Sequence, residues 1–495
     1  MAEKARVPVL TQLRTMAWNF WIANLIEAGE RLAFFGVRAV VGLYIYGETS
    51  VLHLSMTEKG LIFGIWALIQ CLVPMVSGGY ADAYGYRKSM AVAFLINIAG
   101  YCVMANSHGF WTMLLAACMV GLGTAIFKPP VQGSVAKSLN EGNSSLGFGI
   151  FYLLVNVGGM LAPMLASPLR GDPVLNPTWH YVFYGAAIVT AFNFLPAFLL
   201  FREPPVNQAA RDKSPVQVFV DTMTTLWRDQ PMLRFLLVVS GFWFMFMQLW
   251  DLLPNFLDEW VDTRDVGAMA TAVLGEHAQG WLMADGALKP EMLINIDSAA
   301  IVLLVLPMSW FFGRFKMMTS LVLGMVIATV GFTLSGLSTA GAWAALMIFV
   351  FAIGEIICSP KFSEYIGMTA PPDKKAIYMG YSNIPFAIGW AVGNWMSGPL
   401  YDVFSSRSHL ASKWLAAQGV AVAEGADPVA LMVTKLGPEA TTYDATQVLW
   451  DAYHPWIIWV MLGAVGALSV VGMVWTYLQA QKTVAPVAKQ RIEVP

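Results

Sequence analysis

Charged residues are scarce in this chain. Only 12% of its 495 residues are Asp, Glu, Lys or Arg, while 57% are hydrophobic and the mean hydropathy is +0.60. A soluble domain carries about 25% charged residues. The composition therefore excludes an ordinary soluble protein and predicts one that resides in a lipid bilayer. The net charge of −2 gives no information about partners, and we expect no nucleic-acid partner.

Reactive and metal-binding side chains are also few. The four cysteines fall within predicted spans at irregular spacing, which excludes a disulfide framework and a cysteine metal site. The six histidines lie almost entirely in loops or at span ends, without the nucleophile–base pair of a membrane enzyme. No P-loop appears, which argues against a nucleotide-driven pump. We therefore expect neither enzymatic activity nor a cofactor, and the polar N-terminal segment predicts no cleavable signal peptide.

Long apolar segments make up most of the sequence. A helix needs ~20 mostly apolar residues to cross ~30 Å of hydrocarbon, and long continuous runs favour helices over a membrane barrel. We predict an all-α polytopic membrane protein with about 12 transmembrane helices. The predicted spans cover residues 17–46, 58–81, 89–107, 110–136, 144–167, 179–201, 232–257, 292–312, 317–337, 341–366, 376–402 and 454–480.

A polar segment after the sixth predicted span divides the chain into two halves. Two six-helix halves around a midplane site are the arrangement of many secondary transporters. The predicted parts are an N-terminal six-helix half (1–201), a cytoplasmic linker with an amphipathic helix (202–230), a C-terminal six-helix half (231–480) with external inserts near 259–290 and 403–452, and a cytoplasmic tail (481–495).

Basic residues are distributed unevenly over the predicted loops. Most of them lie on the cytoplasmic side if both termini are cytoplasmic, as the positive-inside rule requires. The outside loops hold few, among them Lys59, Arg170 and Lys289. We predict a multi-pass protein of a bacterial inner membrane that functions as a monomer.

The first predicted span carries four ionisable residues on one helical stripe. At ~100° per residue, Glu27, Arg31 and Arg38 fall within roughly 40° of one another, and Glu30 lies about 60° to the other side. Charges at this depth are costly unless they are paired or face a wet cavity, so the stripe predicts the polar pathway of a transporter. The alternative is a buried network that neutralises itself and only fixes the helix register.

The charges predict a substrate that bears both signs. Arg31, Arg38 and Lys128 are cations in apolar spans and suit a carboxylate, because desolvated charge-assisted hydrogen bonds are strong and selective. Glu355, in the opposite half, can bind an ammonium group. Together these residues would form a dipolar clamp between the halves.

Glu27 and Glu30 are the candidates for proton coupling. Two close carboxylates beside Arg31 can share protons, and protonation would weaken the Glu27–Arg31 pair and free Arg31 for substrate. We expect inward co-transport of proton and substrate, with Glu27 as the best candidate carrier.

Further polar residues in the spans have two possible roles each. Asp251 and Asp297 are candidates for coupling or gating, unless they lie in water at the outer rim. Three other residues can hydrogen-bond a bound peptide or merely bridge helices. They are Tyr152, Asn156 and Gln248.

Residues 78–88, Gly-Gly-Tyr-Ala-Asp-Ala-Tyr-Gly-Tyr-Arg-Lys, resemble the Gly-x-x-x-Asp-Arg-x-Gly-Arg-Lys signature of the major facilitator superfamily. Asp82 at a helix end can interact with the N-terminus of a neighbouring helix, while the positive charge of Arg87 keeps this loop on the cytoplasmic side. Both are candidates for coupling or gating. Ala83 and Tyr86 replace the two usual arginines, which weakens the charge relay that the resemblance implies.

Residues 27–36, Glu-Ala-Gly-Glu-Arg-Leu-Ala-Phe-Phe-Gly, resemble the Glu-x-x-Glu-Arg-Phe-x-Tyr-Tyr-Gly motif of the proton-coupled oligopeptide transporter family within that superfamily. Residues 123–129, 151–158, 354–360 and 393–394 match further motifs of the family in the expected order. The resemblance implies a divergent member with the major facilitator fold, and it assigns the first-span cluster to proton coupling.

The departures from the family leave the cargo open. Phe34 and Phe35 stand where the family has tyrosines, and Met247 stands where it commonly has a glutamate before Gln248. We expect import of di- or tripeptides, or of a related small zwitterionic or carboxylate solute, by alternating access. The alternative is a proton-driven efflux antiporter of drugs or metabolites from the same superfamily.

Overall fold

The described part of the chain is mostly helical. The computed structural model describes residues 9–47, 49–140, 143–172, 175–204, 215–312, 315–369, 378, 381–423 and 425–490. Two short antiparallel strands, β1 (Gly171–Asp172) and β2 (Asn176–Pro177), pair with each other. Pro196–Leu200 is a π-helical turn and Gly275–Trp281 a 3-10 helix.

The α-helices of the described residues are α1 (Val9–Arg14), α2 (Trp18–Ile45), α3 (Met56–Leu72), α4 (Pro74–Tyr84), α5 (Tyr86–Ala105), α6 (Phe110–Lys137), α7 (Ser144–Leu169), α8 (Trp179–Phe192), α9 (Pro215–Arg228), α10 (Gln230–Phe246), α11 (Gln248–Asp251), α12 (Leu253–Trp260), α13 (Arg264–Leu274), α14 (Pro290–Phe312), α15 (Met317–Ser335), α16 (Gly341–Thr369), α17 (Asn383–Phe404), α18 (Arg407–Ala417), α19 (Pro428–Leu436), α20 (Thr442–Tyr453) and α21 (Ile457–Gln490).

Ten helical stretches among the described residues are long and apolar enough to cross a membrane. Two further long helices, α2 and α17, coincide with the first and eleventh predicted spans. Every membrane-length stretch of α2 contains at least three charged residues, which sets this span apart from the ten. The twelve together agree with the predicted number of spans.

The seventh span is not the single helix that the sequence predicts over 232–257. Turns at Met247 and Leu252 divide it into α10, α11 and α12. Pro254 lies in the first turn of α12, where its missing N–H and its fixed φ suit a helix start and prevent a continuous helix. The second span is divided in the same way before Pro74, the first residue of α4.

The contacts divide the chain into two compact units. Unit 1 consists of Met1–Leu54, Ile65–Asp221 and Ala270–Val302, and unit 2 of Ser55–Gly64, Thr222–Met269 and Leu303–Pro495. Four helices therefore contribute to both units. α3 and α13 begin in unit 2 and end in unit 1, and α9 and α14 do the reverse. The division into six-helix halves at 202–230 stays a prediction.

The linker and the inserts contain short helices. α9 occupies the linker at the position where the sequence predicts an amphipathic helix. α13 and the 3-10 helix lie in the first insert, and α18, α19 and α20 in the second. The start of α20 is fixed by a capping box, in which Thr441 and Asp444 bind each other's backbone N–H groups.

Candidate functional site

The charges of the first span form one buried cluster in unit 1. The α2 helix places Glu27 one turn before Arg31, and Glu27 Oε1 lies 3.0 Å from Arg31 Nε. The neighbouring carboxylate, Glu30 Oε2, lies 2.5 Å from Arg31 Nη2. Exposure is 5% for Glu27, 0% for Glu30 and 5% for Arg31. One guanidinium thus bridges two carboxylates away from water.

The α6 helix completes this cluster. Thr124 Oγ1 donates a hydrogen bond to Glu30 Oε1 at 3.2 Å. Lys128 follows one turn later and lies within electrostatic range of Glu27, Glu30 and Arg31. The site therefore contains two carboxylates and two cations, and the structure brings together four of the residues that the sequence predicts.

Aromatic rings cover the arginines of α2. The Arg31 guanidinium carbon lies 5.3 Å from the Phe34 ring centre and 5.6 Å from that of Phe35. The Arg38 guanidinium carbon lies 5.1 Å from the ring centre of Trp66. A cation over an aromatic face is stabilised by ~0.5–2 kcal/mol, more when it is desolvated. The phenylalanines at the two tyrosine positions thus still contact the arginine of the motif.

A glycine allows α7 to approach α2 at the cluster. A Cβ atom at Gly158 would lie 3.0 Å from the Cβ atom of Arg31. Small residues at helix contacts in membranes permit such close backbone approach. The motif over 151–158 therefore has a steric role beside Arg31.

Tyr152 and Asn156 also lie on α7 and are half-buried. Asn156 Nδ2 donates to the backbone carbonyl of Tyr152 at 2.8 Å. The asparagine amide thus binds its own helix here, and a substrate contact for either residue stays a prediction.

Gln248 and Asp251 belong to a polar network in unit 2. Asp251 Oδ2 accepts hydrogen bonds from Trp390 Nε1 at 2.5 Å and from Asn394 Nδ2 at 2.7 Å. Gln248 Oε1 accepts one from Ser397 Oγ at 2.7 Å. Both residues are buried, so Asp251 does not lie in water at the rim. The network joins the broken seventh span to α17.

Lys59 is part of this network, and its expected place in an outside loop is wrong. Its exposure is 1%, and its ammonium group donates to Asn255 Oδ1 at 2.5 Å and to the backbone carbonyl of Asp251. The ring centre of Phe63 lies 5.2 Å away. The signal in the sequence was its place inside the predicted span 58–81, because an ionisable residue in a span is functional by default.

Arg170 and Lys289, also expected in outside loops, are buried in unit 1. Arg170 Nε lies 2.7 Å from Glu291 Oε1, and both side chains are shielded from water. Lys289 Nζ donates to the carbonyls of Ser167 at 3.0 Å and Gly280 at 3.1 Å. Burial lowers the pKa of Lys289, and the Glu291 carboxylate opposes this effect. Sequence reasoning did not predict this cluster.

Two further predicted site residues, Asp297 and Glu355, belong to different units. Asp297 on α14 is fully buried in unit 1, so it does not lie in water, and its role in coupling or gating stays a prediction. Glu355 on α16 is half-buried in unit 2. The predicted clamp with Arg31 and Lys128 combines residues of both units and stays a prediction.

The signature loop is tied to the chain that follows the sixth span. The backbone N–H groups of Tyr86 and Arg87 donate to the Glu203 carboxylate at 2.5 and 2.9 Å. Arg87 Nη2 also donates to the Phe201 carbonyl. The side chain of Asp82 lies outside the described residues, and its coupling role stays a prediction.

Within the described ranges, no group of three or more His, Cys, Asp or Glu side chains could hold a metal ion. The four cysteines are free thiols.

Comparisons with known proteins agree with this architecture. Multidrug resistance protein MdtH of Edwardsiella ictaluri is 24% identical over 408 residues, which are 82% of this chain and 91% of the relative. Multidrug resistance protein MdtH of Shigella sonnei is 24% identical over 361 residues, 72% of this chain and 80% of the relative.

Solved structures share the fold. Peptide transporter POT in complex with sulfate superposes with a TM-score of 0.66 at 17% identity and covers 94% of each chain. Tetrameric PepTSo2 has a TM-score of 0.64 at 18% identity, with 96% of this chain and 99% of that chain covered. A point mutant of the nucleoside transporter NupG has a TM-score of 0.66 at 12% identity and covers 93% and 100%.

These comparisons confirm the predicted fold class, an all-α membrane protein of the major facilitator fold. They also confirm that the chain is a transporter and not an enzyme, as well as its multi-pass insertion in a membrane. The family model described as Major Facilitator Superfamily matches residues 29–394. The chain belongs to the major facilitator superfamily.

Proposed function

We propose that this protein is a proton-coupled symporter that imports di- or tripeptides, or a related small zwitterionic or carboxylate solute, by alternating access. One observation carries the proposal: the buried cluster in which Arg31 bridges Glu27 and Glu30 beside Lys128. The coupling ion is the proton, and the proposal requires no cofactor.

The cluster can exchange an internal partner for a substrate carboxylate. A proton on Glu27 removes its negative charge and weakens the 3.0 Å pair with Arg31. The released guanidinium N–H groups can then donate to a substrate carboxylate in the planar, bidentate geometry that arginine favours. Proton and substrate thus stabilise the same state, which is the condition for coupling them.

The fold neighbours support a peptide-like cargo. One of them is named peptide transporter POT and is in complex with sulfate. An anion bound to such a fold agrees with a carboxylate as the group that the cations of unit 1 recognise. Glu355 is the proposed partner of the substrate ammonium group.

We also propose the membrane in which the protein resides and its orientation there. The bacterial relatives favour a bacterial inner membrane. The loop charges favour cytoplasmic N and C termini, and a monomer suffices for the function.

Uptake into proteoliposomes tests the proposal. An inward proton gradient should drive accumulation of labelled dialanine by the wild type, and Glu27→Gln should abolish this accumulation while dialanine exchange continues. Glu276→Gln, in the exposed 3-10 helix, is the matched control and should behave as wild type. Full gradient-driven accumulation by Glu27→Gln would refute the assignment of the carrier.

A panel of candidate substrates identifies the cargo. Di- and tripeptides, free amino acids and non-peptide zwitterions are added one at a time to proteoliposomes, and a pH-sensitive dye inside the vesicles reports the entry of protons. If peptides cause no proton entry and another zwitterion does, Phe34, Phe35 and Met247 become the explanation for the changed specificity.

Efflux is the second candidate function, and the relatives named multidrug resistance protein favour it. An antiporter would move its cargo against the direction of proton flow. Proton-dependent extrusion of a fluorescent dye from loaded proteoliposomes, without dialanine uptake, would show that the protein is an antiporter and not a symporter.

A further inference from the structure

Asp297 differs from the other buried carboxylates in the described part of the chain. The structure buries six acidic side chains there: Glu27, Glu30, Asp251, Glu259, Glu291 and Asp297. Five of them meet a donor or cation, supplied by Arg31, Thr124, Trp390, Tyr401 or Arg170. Neither oxygen of Asp297 has a hydrogen-bond donor among the described residues.

The surroundings of Asp297 on its own helix are apolar. Its exposure is 0%. The residues one turn before and after it on the same face are buried and apolar: Leu293, Ile294, Ala300 and Ile301. An ionised carboxylate here would lose its hydration without replacement, a penalty of several kcal/mol, whereas a protonated carboxyl avoids most of it.

A different face of α14 holds the helix against α7. Asn295 Nδ2 donates to the Met160 carbonyl at 2.9 Å, and Ser298 Oγ lies 3.5 Å from the position of a Cβ atom on Gly159. At ~100° per residue, Asn295 and Ser298 are about 60° apart, and Asp297 is at least about 100° from both. The helix is therefore anchored by neutral groups, and the carboxyl of Asp297 takes no part in that contact.

The charged groups near this stretch of α14 already have other partners. Phe35 of α2 and Ser298 of α14 both lie beside Gly159 of α7, so α2 lies near this stretch of α14. Arg170 pairs with Glu291, and Arg31 pairs with Glu27 and Glu30. The titratable or charged groups of these elements and of the segment just before α14 are Glu27, Glu30, Arg31, Arg38, Tyr44, Tyr152, Arg170, Lys289 and Glu291.

We propose that Asp297 is a second proton-binding site of the transport cycle, separate from the Glu27–Arg31 pair. In the conformation described here the carboxyl holds its proton, because no donor or cation in the described part of the chain compensates the anion. When the cycle brings α14 into contact with water, the proton leaves to the solution, and it returns from the other side in the next cycle. The inference rests on the proposed proton coupling and adds a second carrier to it.

Two measurements on the purified full-length protein test this inference. Infrared titration detects the C=O stretch of protonated carboxyls, and Asp297→Asn should remove one component that the wild type retains at neutral pH. In proteoliposomes, Asp297→Asn should move fewer protons per labelled dialanine and accumulate less dialanine under the proton gradient, while dialanine exchange continues, since an amide resembles the protonated carboxyl in shape and charge. Asp297→Glu, which restores a titratable group, should recover coupling.

Asp285→Asn, an exposed aspartate in the same insert-to-helix region, is the control and should match the wild type in both measurements. An unchanged infrared component in folded Asp297→Asn overturns the inference, as does an unchanged proton-to-dialanine ratio in a wild type that couples. Loss of exchange together with accumulation also overturns it, because Asp297 would then bind the substrate. If the wild type moves no protons with dialanine, the proposed function fails, and the infrared component alone decides the proton site.

Discussion

Arg31 is the residue on which the first-span cluster depends. Its Nε and Nη2 atoms meet different carboxylates, Glu27 and Glu30, and its guanidinium faces the rings of Phe34 and Phe35. Lysine keeps the charge, but it lacks the planar fork that serves two carboxylates at once. The proposed binding of a substrate carboxylate needs the same fork.

We expect Arg31→Lys to weaken substrate binding about tenfold, which corresponds to ~1.4 kcal/mol. The concentration dependence of dialanine exchange in proteoliposomes measures the effect. Arg14→Lys, at an exposed position of α1, is the matched control and should leave the apparent affinity unchanged. An unchanged affinity in Arg31→Lys would show that the fork does not hold the substrate.

The contact between α2 and α7 is the element on which the geometry of the cluster depends. Gly158 allows the backbone of α7 to come close to Arg31. Without a strong hydrophobic drive between helices in lipid, such close packing is a main source of helix association. A side chain at this position would displace the helix that carries the charges.

We predict that Gly158→Leu lowers the free energy of unfolding by ~1–3 kcal/mol through overpacking. Thermal unfolding in detergent, followed by tryptophan fluorescence, measures the loss. Gly149→Leu lies on the same helix and meets open space, so it should have no such effect. Equal melting temperatures for the two variants would argue against a steric role for Gly158.

At the scale of the whole molecule, the proposed cycle moves charge across the membrane. A zwitterion that enters with a proton carries net positive charge, so a membrane potential should drive uptake even at equal pH. A potential of 100 mV, negative inside, supplies ~2.3 kcal/mol per charge, enough for accumulation of up to about 50-fold for each proton that enters with the substrate.

Valinomycin and a potassium gradient impose this potential on proteoliposomes, and labelled dialanine reports the accumulation. We expect uptake with a negative interior and none when the potential is reversed. Net extrusion of dialanine at negative potential would contradict symport.

The sequence by itself determined the features that follow from local periodicity. A helix of 3.6 residues per turn places Glu27 and Arg31 one turn apart wherever the helix lies, so their pairing was predictable from the spacing. The long apolar runs gave the spans for the same reason, since the thickness of the hydrocarbon layer fixes the length of a crossing helix. The motifs over 27–36 and 78–88 indicated the superfamily.

Only the tertiary structure decided which other charges are buried and what they meet. Lys59 binds Asn255, 196 residues away, and Arg170 binds Glu291, 121 residues away. The neighbours of Arg170 in sequence resemble those of a loop charge. Lys59 falls inside a predicted span, but no local pattern specifies the distant partner of either residue. For the same reason the sequence did not predict that Asp297 lacks a hydrogen-bond donor among the described residues. Whether a donor is present depends on how separate helices pack and not on the spacing along one of them.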